Sequence, residues 1–193
     1  LSRTGIVPIS STLDTPGPMT KNVIDNAIVM NAMRGFDKKD DASKNLNEDY
    51  YKDGLGKDIK NKRIGVLKSL MSDSIYARAV NKLKEANAEI IEVTPANISF
   101  NGFISLLNTD MKHDLPKYLV NDANPSILIE NIKNIIDFNK KDSLLRAPYG
   151  QQLFEGILKD STTLEELEFV KNNLNKEGNR FLKALKDDNL DAI

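Results

Sequence analysis

Hydrophobic and polar positions predict one strand–helix–strand unit in the middle of the chain. Residues 63–67 and 89–94 are short, largely apolar runs, which is typical of strands. Residues 74–87 lie between them and carry apolar side chains at the spacing of an amphipathic helix. Because the connections are short, this order predicts two parallel strands joined by a right-handed crossover over residues 61–95.

The second half of the chain has the three- and four-residue apolar spacing of helices. The first stripe consists of Phe103, Leu106, Leu107 and Met111. Pro116 is predicted to interrupt or restart this helix, and another stripe runs through residues 127–136. Thr163 and Glu166 have the spacing of a capping box ahead of a last helix. The pattern therefore predicts an α/β protein that is mostly helical over residues 96–193.

The first 60 residues are largely irregular in pattern. Residues 1–20 are rich in Gly, Pro, Ser and Thr, which favours turns and loops. A helix is predicted over residues 21–34, with Thr20 as its N-cap and Gly35 at its end. Residues 36–60 are dense in Asp and Lys, and they are predicted to form a loop.

Charge and composition exclude several classes of partner and site. The 27 basic and 28 acidic residues nearly cancel, so no nucleic-acid partner is predicted. No apolar run approaches the ~20 residues that span a bilayer, so no membrane association is predicted. The absence of cysteine and the single histidine, His113, exclude thiolate and multi-histidine metal sites. We expect no cofactor and a cytosolic location.

The two ends of the chain suggest a piece of a longer protein. The chain opens at Leu1 without a methionine, and residues 189–193 alternate like the start of a strand. A natural protein rarely stops inside a strand, so we expect a fragment. Exposed strand edges and apolar faces would follow from this, and they predict self-association.

Several segments resemble one known family in order and spacing. They are residues 2–9, Asp14-Thr15-Pro16-Gly17-Pro18-Met19-Thr20, Asp25 with Ala27, and residues 31–40. Together they resemble the late part of the amidase signature. Residues 110–119, 136–139 and 149–155 are similar to the peptide-amidase-like branch of that family, in preference to the glutaminyl-tRNA amidotransferase A subunit.

The resemblance implies a fold and a chemistry. The family fold is a large α/β/α sandwich, of which this chain is expected to be one partial domain, residues 1–193. Residues 1–60 would end the signature, 61–95 would form the βαβ unit, and 96–193 would shape the substrate site. The family hydrolyses amides with a Ser–cis-Ser–Lys triad, in which a neutral lysine activates the serine through a bridging serine.

The residues of that triad are not recognisable in this sequence. The family places them in Gly/Ser-rich loops, and this chain contains neither a Gly-Ser nor a Gly-Gly pair. We therefore expect the chain to be part of an amide hydrolase acting on a small or peptide-like carboxamide, and to be inactive by itself. The alternatives are a non-catalytic ligand-binding module and an interaction subunit derived from an amidase or amidotransferase A subunit.

The resemblance also suggests which residues border a substrate. It places the Asp14-Thr15 loop near the catalytic centre, although a structural role, in capping the helix at Thr20 or fixing the loop, is favoured over support of a substrate pocket. The candidates for the substrate pocket are Asp14, Thr15, Met19, Leu107, Asp110 and Met111. The apolar members on the predicted helix are more typical of a hydrophobic core.

Other reactive side chains have simpler interpretations. The hydroxyl cluster at residues 10–12 is consistent with turn hydrogen bonds, since no base is spaced near it. Lys21 and His113 are predicted to lie on helix surfaces. Asp37, Asp40 and Asp41 lack the glycine and terminal glutamate of a calcium loop, so a solvated loop or helix cap is expected.

Overall fold

A computed structural model describes residues 1–54, 56–95 and 97–193, without the side chains of Ala184 and Leu185. Eight α-helices and two strands are present in those residues. In chain order they are α1 (Val23–Met33), α2 (Tyr50–Gly54), β1 (Arg63–Leu67), α3 (Ser74–Glu85), β2 (Glu89–Val93), α4 (Phe103–Asn121), α5 (Ile132–Lys140), α6 (Ser143–Arg146), α7 (Gln152–Lys159) and α8 (Leu164–Asp187). The chain forms two compact units. One contains Leu1–Asp53 and Asn101–Lys171, and the other contains Gly54–Phe100 and Asn172–Ile193.

The second unit contains the predicted βαβ arrangement. β1 and β2 pair in parallel, with Ile64 opposite Ile90, and α3 connects them. Asp73 caps α3 by accepting hydrogen bonds from two backbone N–H groups of its first turn. Val66 of β1 and Val80 of α3 are both 2% exposed. This arrangement confirms the parallel strands predicted from the sequence.

The last residues of the chain lie along the other edge of β1. The Asp191 N–H donates to the carbonyl of Arg63 at 2.8 Å, and the Gly65 N–H donates to the carbonyl of Ala192 at 2.8 Å. A parallel bridge joins Ile64 and Ala192. A Cβ on Gly65 would lie 2.6 Å from Leu190 Cδ1, so a larger residue would force the Leu190 side chain to shift. The strand-like pattern of residues 189–193 thus corresponds to a short extended pairing.

The first unit has a helical core. Leu115 of α4, Ile132 and Ile136 of α5, and Ile157 of α7 form a buried cluster. Partly buried apolar side chains surround it, namely Met111, Tyr118, Leu119, Ile135 and Phe154. The cluster fixes α4 against α5 and α7, and the N-terminal residues of the chain contact the opposite side of α4.

The predicted N-cap of α1 is wrong, because a neighbouring residue caps the helix instead. Asn22, not Thr20, caps α1, since its side chain accepts from the N–H of Asp25 while Thr20 Oγ donates to the Asn22 carbonyl. The helix ends at Met33 with Arg34 as its C-cap, before Gly35. The predicted loop over residues 36–60 contains the short helix α2, and Leu55 lies outside the described residues.

The predicted interruption at Pro116 is also wrong, because α4 continues through it to Asn121. A proline inside a helix removes one backbone hydrogen bond and disfavours the preceding turn by about 3 kcal/mol. Leu115 and Leu119 flank the proline and pack into the core. We attribute the continuous helix to this packing, which offsets the local penalty.

The last helix begins as the sequence predicts. The Thr163 N–H donates to Glu166 Oε2 at 2.8 Å, and the Glu166 N–H donates to Thr163 Oγ1 at 3.2 Å. This reciprocal pair is the capping box at the start of α8. Within the described residues, no helix is both long and apolar enough to cross a bilayer.

Candidate functional site

The N-terminal loop, residues 3–16, and the C-terminal half of α4 enclose a cavity in the first unit. The cavity has a volume of about 730 Å³, within the range of small-molecule sites. The loop contributes a run of apolar residues, Ile6 to Ile9, and the Asp14-Thr15-Pro16 turn. Helix α4 contributes polar side chains from its last turns. The site therefore depends on what holds the loop in place, because the loop has no regular secondary structure of its own.

One anchor of the loop is an ion pair between Arg3 and Asp40. Arg3 Nη2 donates to Asp40 Oδ1 at 2.7 Å, and Arg3 Nε and its backbone N–H donate to Oδ2 at 3.0 and 2.8 Å. Arg3 Nη1 also donates to the carbonyl of Ser11 at 2.5 Å. The Asp40 side chain is 6% exposed. Arg3 thus ties the loop to Asp40 and to its own far end.

The hydrogen bonds from Arg3 hold the pKa of the Asp40 carboxyl far below its usual range, and they outweigh the opposing effect of burial. The same pairing raises the pKa of Arg3. Asp40 was expected to lie in a solvated loop or at a helix cap, and that expectation is wrong for this residue. The acidic stretch after α1 instead supplies a buried partner for the loop.

A neighbouring aspartate secures the residues around Arg3. The hydroxyls of Ser2 and Thr4 each donate to Asp37 Oδ2 at 2.6 Å. These bonds, with the Ser2 bond contributing most, lower the pKa of the Asp37 carboxyl. The chain entering the loop is therefore held on both sides of Arg3.

A second anchor is formed by carboxylates on α4. Ser10 is fully buried, and its hydroxyl donates to Asp110 Oδ2 at 2.5 Å. The same oxygen accepts from the N–H of Thr12 at 3.3 Å, and Asp114 Oδ2 accepts from the N–H of Ser11 at 2.8 Å. Lys171 Nζ lies 3.9 Å from Asp110 Oδ1, which balances part of its buried charge. Helix α4 thus binds one side of the loop through two successive turns.

Asp14 closes the loop from within. Its Oδ2 accepts from the N–H groups of Ile9 and Ser10, at 2.8 and 3.0 Å. The Ser10 hydroxyl accepts from the N–H of Leu13 at 3.1 Å, so the hydroxyl cluster makes turn hydrogen bonds. These contacts give Asp14 the structural role that the sequence left as one alternative, while its position on the cavity wall leaves a pocket role open.

The six candidate pocket residues do not lie together in one place. Asp14 and Thr15 line the cavity. Met19 is 99% exposed, and Asp110 is buried beneath the loop. Met111 packs against the helical core, and Leu107 is half-buried on the same helix. The pocket role of all six residues stays a prediction.

The residues of α4 that line the cavity form a polar stripe. Its members are Asp114, Lys117, Tyr118, Asn121 and Asp122. The spacing of three and four residues is that of one helix face, with Asp122 as the C-cap of α4. Tyr118 also packs against the Leu115 cluster. That spacing is visible in the sequence, but the helix was identified from its apolar positions, which do not include these polar residues. Arg3 carried no local signal, because its partner lies 37 positions away.

The remaining reactive side chains do not converge at the cavity. His113 is exposed on α4, and Lys21 is exposed ahead of α1. Among the described residues, no group of three or more His, Asp or Glu side chains is placed to hold a metal ion. The chemistry that this site offers is hydrogen bonding and apolar contact.

Comparison with known proteins matches the whole chain to one family. The family model described as Amidase matches residues 1–193. The A subunit of the glutamyl-tRNA(Gln) amidotransferase of Beijerinckia indica is 36% identical over 126 residues, which cover 62% of this chain and 23% of that protein. The corresponding protein of Clostridium botulinum is 40% identical over 98 residues, covering 51% and 20%.

A solved structure is similar over nearly the whole chain. The crystal structure of an amidase family protein from Bacillus anthracis is 33% identical, with a TM-score of 0.87, and the match covers 98% of this chain and 39% of that one. The chain spans about a quarter of the length of the curated relatives it matches. These matches confirm the α/β fold class and the resemblance to the amidase signature. The chain belongs to the amidase family.

Proposed function

We propose that this chain supplies the scaffold and one wall of the substrate site of an amide hydrolase, whose Ser–cis-Ser–Lys residues lie outside residues 1–193. The substrate is a small or peptide-like carboxamide, as in the peptide-amidase-like branch. The observation that carries the proposal is the cavity beside the Asp14-Thr15 turn, in a chain that matches the Amidase family along its whole length.

The rigid attachment of the loop supports this role. A substrate wall must be held in position before the substrate arrives, since positioning contributes directly to rate. Carboxylates from three places, Asp14, Asp40 and Asp110, bind the backbone or side chains of one short loop. Helix α4 is itself fixed by the helical core. The wall is therefore anchored to α4 and to the acidic stretch after α1.

The chemistry proposed for the complete site is acyl transfer through serine. The serine oxygen attacks the amide carbonyl carbon, its proton passes to the lysine, and the amine leaves after accepting a proton. Water then hydrolyses the acyl-enzyme and regenerates the serine. In this chain no Gly/Ser-rich loop is present to hold such a serine, so residues 1–193 supply positioning rather than the nucleophile.

The test compares two proteins. One is the 193-residue chain, and the other is the polypeptide encoded when the reading frame is extended upstream. Both are treated with a fluorophosphonate that labels activated serines, and both are assayed for ammonia release from simple carboxamides. We expect labelling and release only for the longer protein. Labelling of the 193-residue chain, or an inactive longer protein with intact Gly/Ser-rich loops, contradicts the proposal.

A second candidate is an interaction subunit, and an exposed helix favours it. None of the residues of α1 is buried, and Val23, Ile24 and Ile28 are 85%, 53% and 49% exposed. The similar proteins from Beijerinckia indica and Clostridium botulinum are named as subunits. Purification of the chain from its own cells, with and without a Val23→Asp/Ile28→Asp pair, tests this. Stoichiometric partners that are lost with the pair favour the interaction role, and their absence in both favours the hydrolase.

A further inference from the structure

Large apolar side chains are exposed close together around the short helix α6. Leu144 and Leu145 of α6 are 89% and 75% exposed, Tyr149 in the following turn is 98% exposed, and Leu153 of α7 is 85% exposed. Single exposed apolar residues are ordinary on a protein surface, whereas a cluster of large ones is typical of an interaction surface. We call these four residues, together with Phe138 at the end of α5, the α6 surface.

The α6 surface is carried by elements that are fixed in the first unit. Helices α5 and α7 contribute buried side chains to the helical core. Arg146 lies over the ring of Phe138, with its guanidinium carbon 3.9 Å from the ring centroid, and its Nη1 donates to the Phe138 carbonyl at 2.8 Å. The Asn139 side chain donates to Gln151 Oε1 at 3.2 Å. Folded elements therefore present the exposed apolar side chains.

The exposed fractions describe a protrusion rather than a groove. A groove shields the side chains that line it, whereas three residues of the α6 surface are exposed by 85% or more. A helix or strand of another protein docks into a groove or onto an open sheet edge. A lipid bilayer needs neither, because its interface admits protruding leucine and tyrosine side chains. The shape of the α6 surface thus favours a membrane over a peptide.

The charges around the α6 surface favour an anionic membrane. Residues 138–153 contain three basic side chains and one acidic side chain, although the whole chain has a net charge of -1. The acidic one, Asp142, accepts the N–H of Leu145 as the N-cap of α6. Lys140 and Lys141 are exposed, and neither takes part in an ion pair with another described residue. These two ammonium groups are therefore available to lipid phosphates.

The acidic side chains that flank this segment oppose such binding only weakly. Asp137 is paired with Lys133, whose Nζ lies 2.5 Å from its Oδ2. Glu155 is partly buried on α7. Arg146 is exposed and adds a third cation beside the two lysines. The segment thus combines protruding apolar groups with an excess of positive charge, which is the combination that binds anionic bilayers.

We propose that the α6 surface binds the surface of an anionic lipid bilayer. Leu144, Leu145 and Tyr149 enter the interfacial region, and Lys140 and Lys141 contact lipid phosphates. Binding of this kind needs no helix that spans the bilayer. The sequence-based expectation of no membrane association concerned spanning segments, so it does not bear on this surface. The contact goes beyond amide hydrolysis, because it places the protein at a membrane without binding the amide.

The test is co-sedimentation with large unilamellar vesicles of phosphatidylcholine, either alone or with about 30% phosphatidylglycerol. Both the 193-residue chain and the polypeptide extended upstream are used. We expect each to bind the anionic vesicles about tenfold more strongly than the neutral ones, and to lose this preference when NaCl is raised from about 0.05 to about 0.5 M. Equal binding to the two vesicles, binding that salt does not change, or no binding overturns the proposal.

A matched pair of variants tests the apolar contribution. Leu144→Ser/Leu145→Ser removes two side chains of the α6 surface, and Val120→Ser/Phe169→Ser removes two that are 75% and 76% exposed elsewhere in the first unit. We expect the first pair to weaken binding to anionic vesicles about tenfold and the second to leave it unchanged. Because all four side chains are exposed, thermal unfolding followed by circular dichroism should be the same for both. Equal losses of binding contradict the assignment to the α6 surface.

A second matched pair tests the charges. Lys140→Gln/Lys141→Gln removes the two unpaired ammonium groups, and Lys57→Gln/Lys60→Gln removes two exposed ones in the second unit. We expect the first pair to weaken binding to anionic vesicles about tenfold without changing binding to neutral ones, and the second to have less than a twofold effect. A similar loss from both pairs would indicate attraction by overall charge and would overturn the proposal.

Two other occupants of the α6 surface give different results. If the rest of a longer polypeptide covers it, the 193-residue chain binds vesicles and the extended protein does not. If a second copy covers it, sedimentation velocity shows a dimer that Leu144→Ser/Leu145→Ser dissociates, and neither protein binds vesicles. Either result overturns membrane binding. Neither bears on the hydrolase proposal, which is tested by serine labelling and ammonia release.

Discussion

The N-terminal loop and the helical core lie in the same unit but are held by different interactions. Hydrogen bonds to five carboxylates hold the loop, and two of the residues that supply them, Asp40 and Asp110, are buried. Apolar contacts among Leu115, Ile132 and Ile136 hold the core. The exposed apolar residues of the loop, such as Val7, contribute little to its anchoring.

Because of this difference, the two regions should tolerate substitutions and changes of pH to different degrees. Apolar packing depends on volume and is insensitive to pH, so a core accepts similar side chains. A carboxylate anchor depends on a charge, a geometry and a specific partner, so it fails with a single substitution or on protonation. The loop that forms the cavity wall should therefore tolerate fewer substitutions than the core, and its anchoring should be more sensitive to acid.

The largest effect is expected in the core. Ile136→Ala removes buried methylene and methyl groups at a position that is 3% exposed, and it should lower the free energy of unfolding by about 2–5 kcal/mol. Urea denaturation measures this, with Leu144→Ala as the control, since Leu144 is 89% exposed. A loss below about 1 kcal/mol for Ile136→Ala would show that the cluster does not carry the stability of this unit.

The next effect concerns the ion pair at the start of the loop. Asp40→Asn removes the charge from three hydrogen bonds donated by Arg3 and should destabilise the protein by about 1.5–3 kcal/mol at pH 7. Asp41→Asn, at an exposed position, is the control.

The same variant should also change the pH dependence of stability. Because folding depresses the pKa of Asp40, its contribution is complete above the unfolded pKa of about 3.9 and is lost as the pH falls below it toward the folded pKa. The difference in unfolding free energy between the parent and Asp40→Asn should therefore be smaller at pH 3 than at pH 7. A constant difference between them would contradict the assignment of this anchor.

The third effect tests the anchor on α4. Asp110→Ala leaves the buried Ser10 hydroxyl without its acceptor and should reduce stability by about 1–3 kcal/mol. Hydrogen exchange should quicken at the amide of Thr12, which loses its bond to the same carboxylate. Glu130→Ala, at an exposed position, serves as the control. Unchanged exchange at residue 12 would show that the loop does not rely on α4.

The smallest effect is expected at Asp14. Asp14→Asn keeps one oxygen that accepts from the N–H groups of Ile9 and Ser10 but removes its charge, so a loss of about 0.5–1.5 kcal/mol is expected. Asp14→Ala removes the acceptor and should exceed it. If thermal or urea denaturation ranks the two variants in the opposite order, the hydrogen bonds to Asp14 do not fix the turn.

Features with local signals were predictable from the sequence. The capping box of Thr163 and Glu166 and the parallel pairing of β1 and β2 depend on residues that are close in sequence or joined by one short crossover. The amidase resemblance followed from several short segments and their order along the chain. In each case the deciding interactions are encoded within a few turns of the chain.

Features that join distant residues were not predictable. The bond from Ser10 to Asp110 spans 100 positions, and nothing near either residue indicates that the carboxylate is buried. The continuity of α4 through Pro116 contradicts local propensity, since the packing of Leu115 and Leu119 decides it. The polar stripe of α4 became a cavity wall only because the loop lies over it.

The sequence by itself determined the α/β class, the βαβ unit and the family, because spacing and local hydrogen bonding encode them. The tertiary structure alone decided which aspartates anchor the loop and which residues of α4 line the cavity. Both outcomes depend on the exclusion of water around charged groups, and that exclusion arises only when the loop, α4 and the acidic stretch come together.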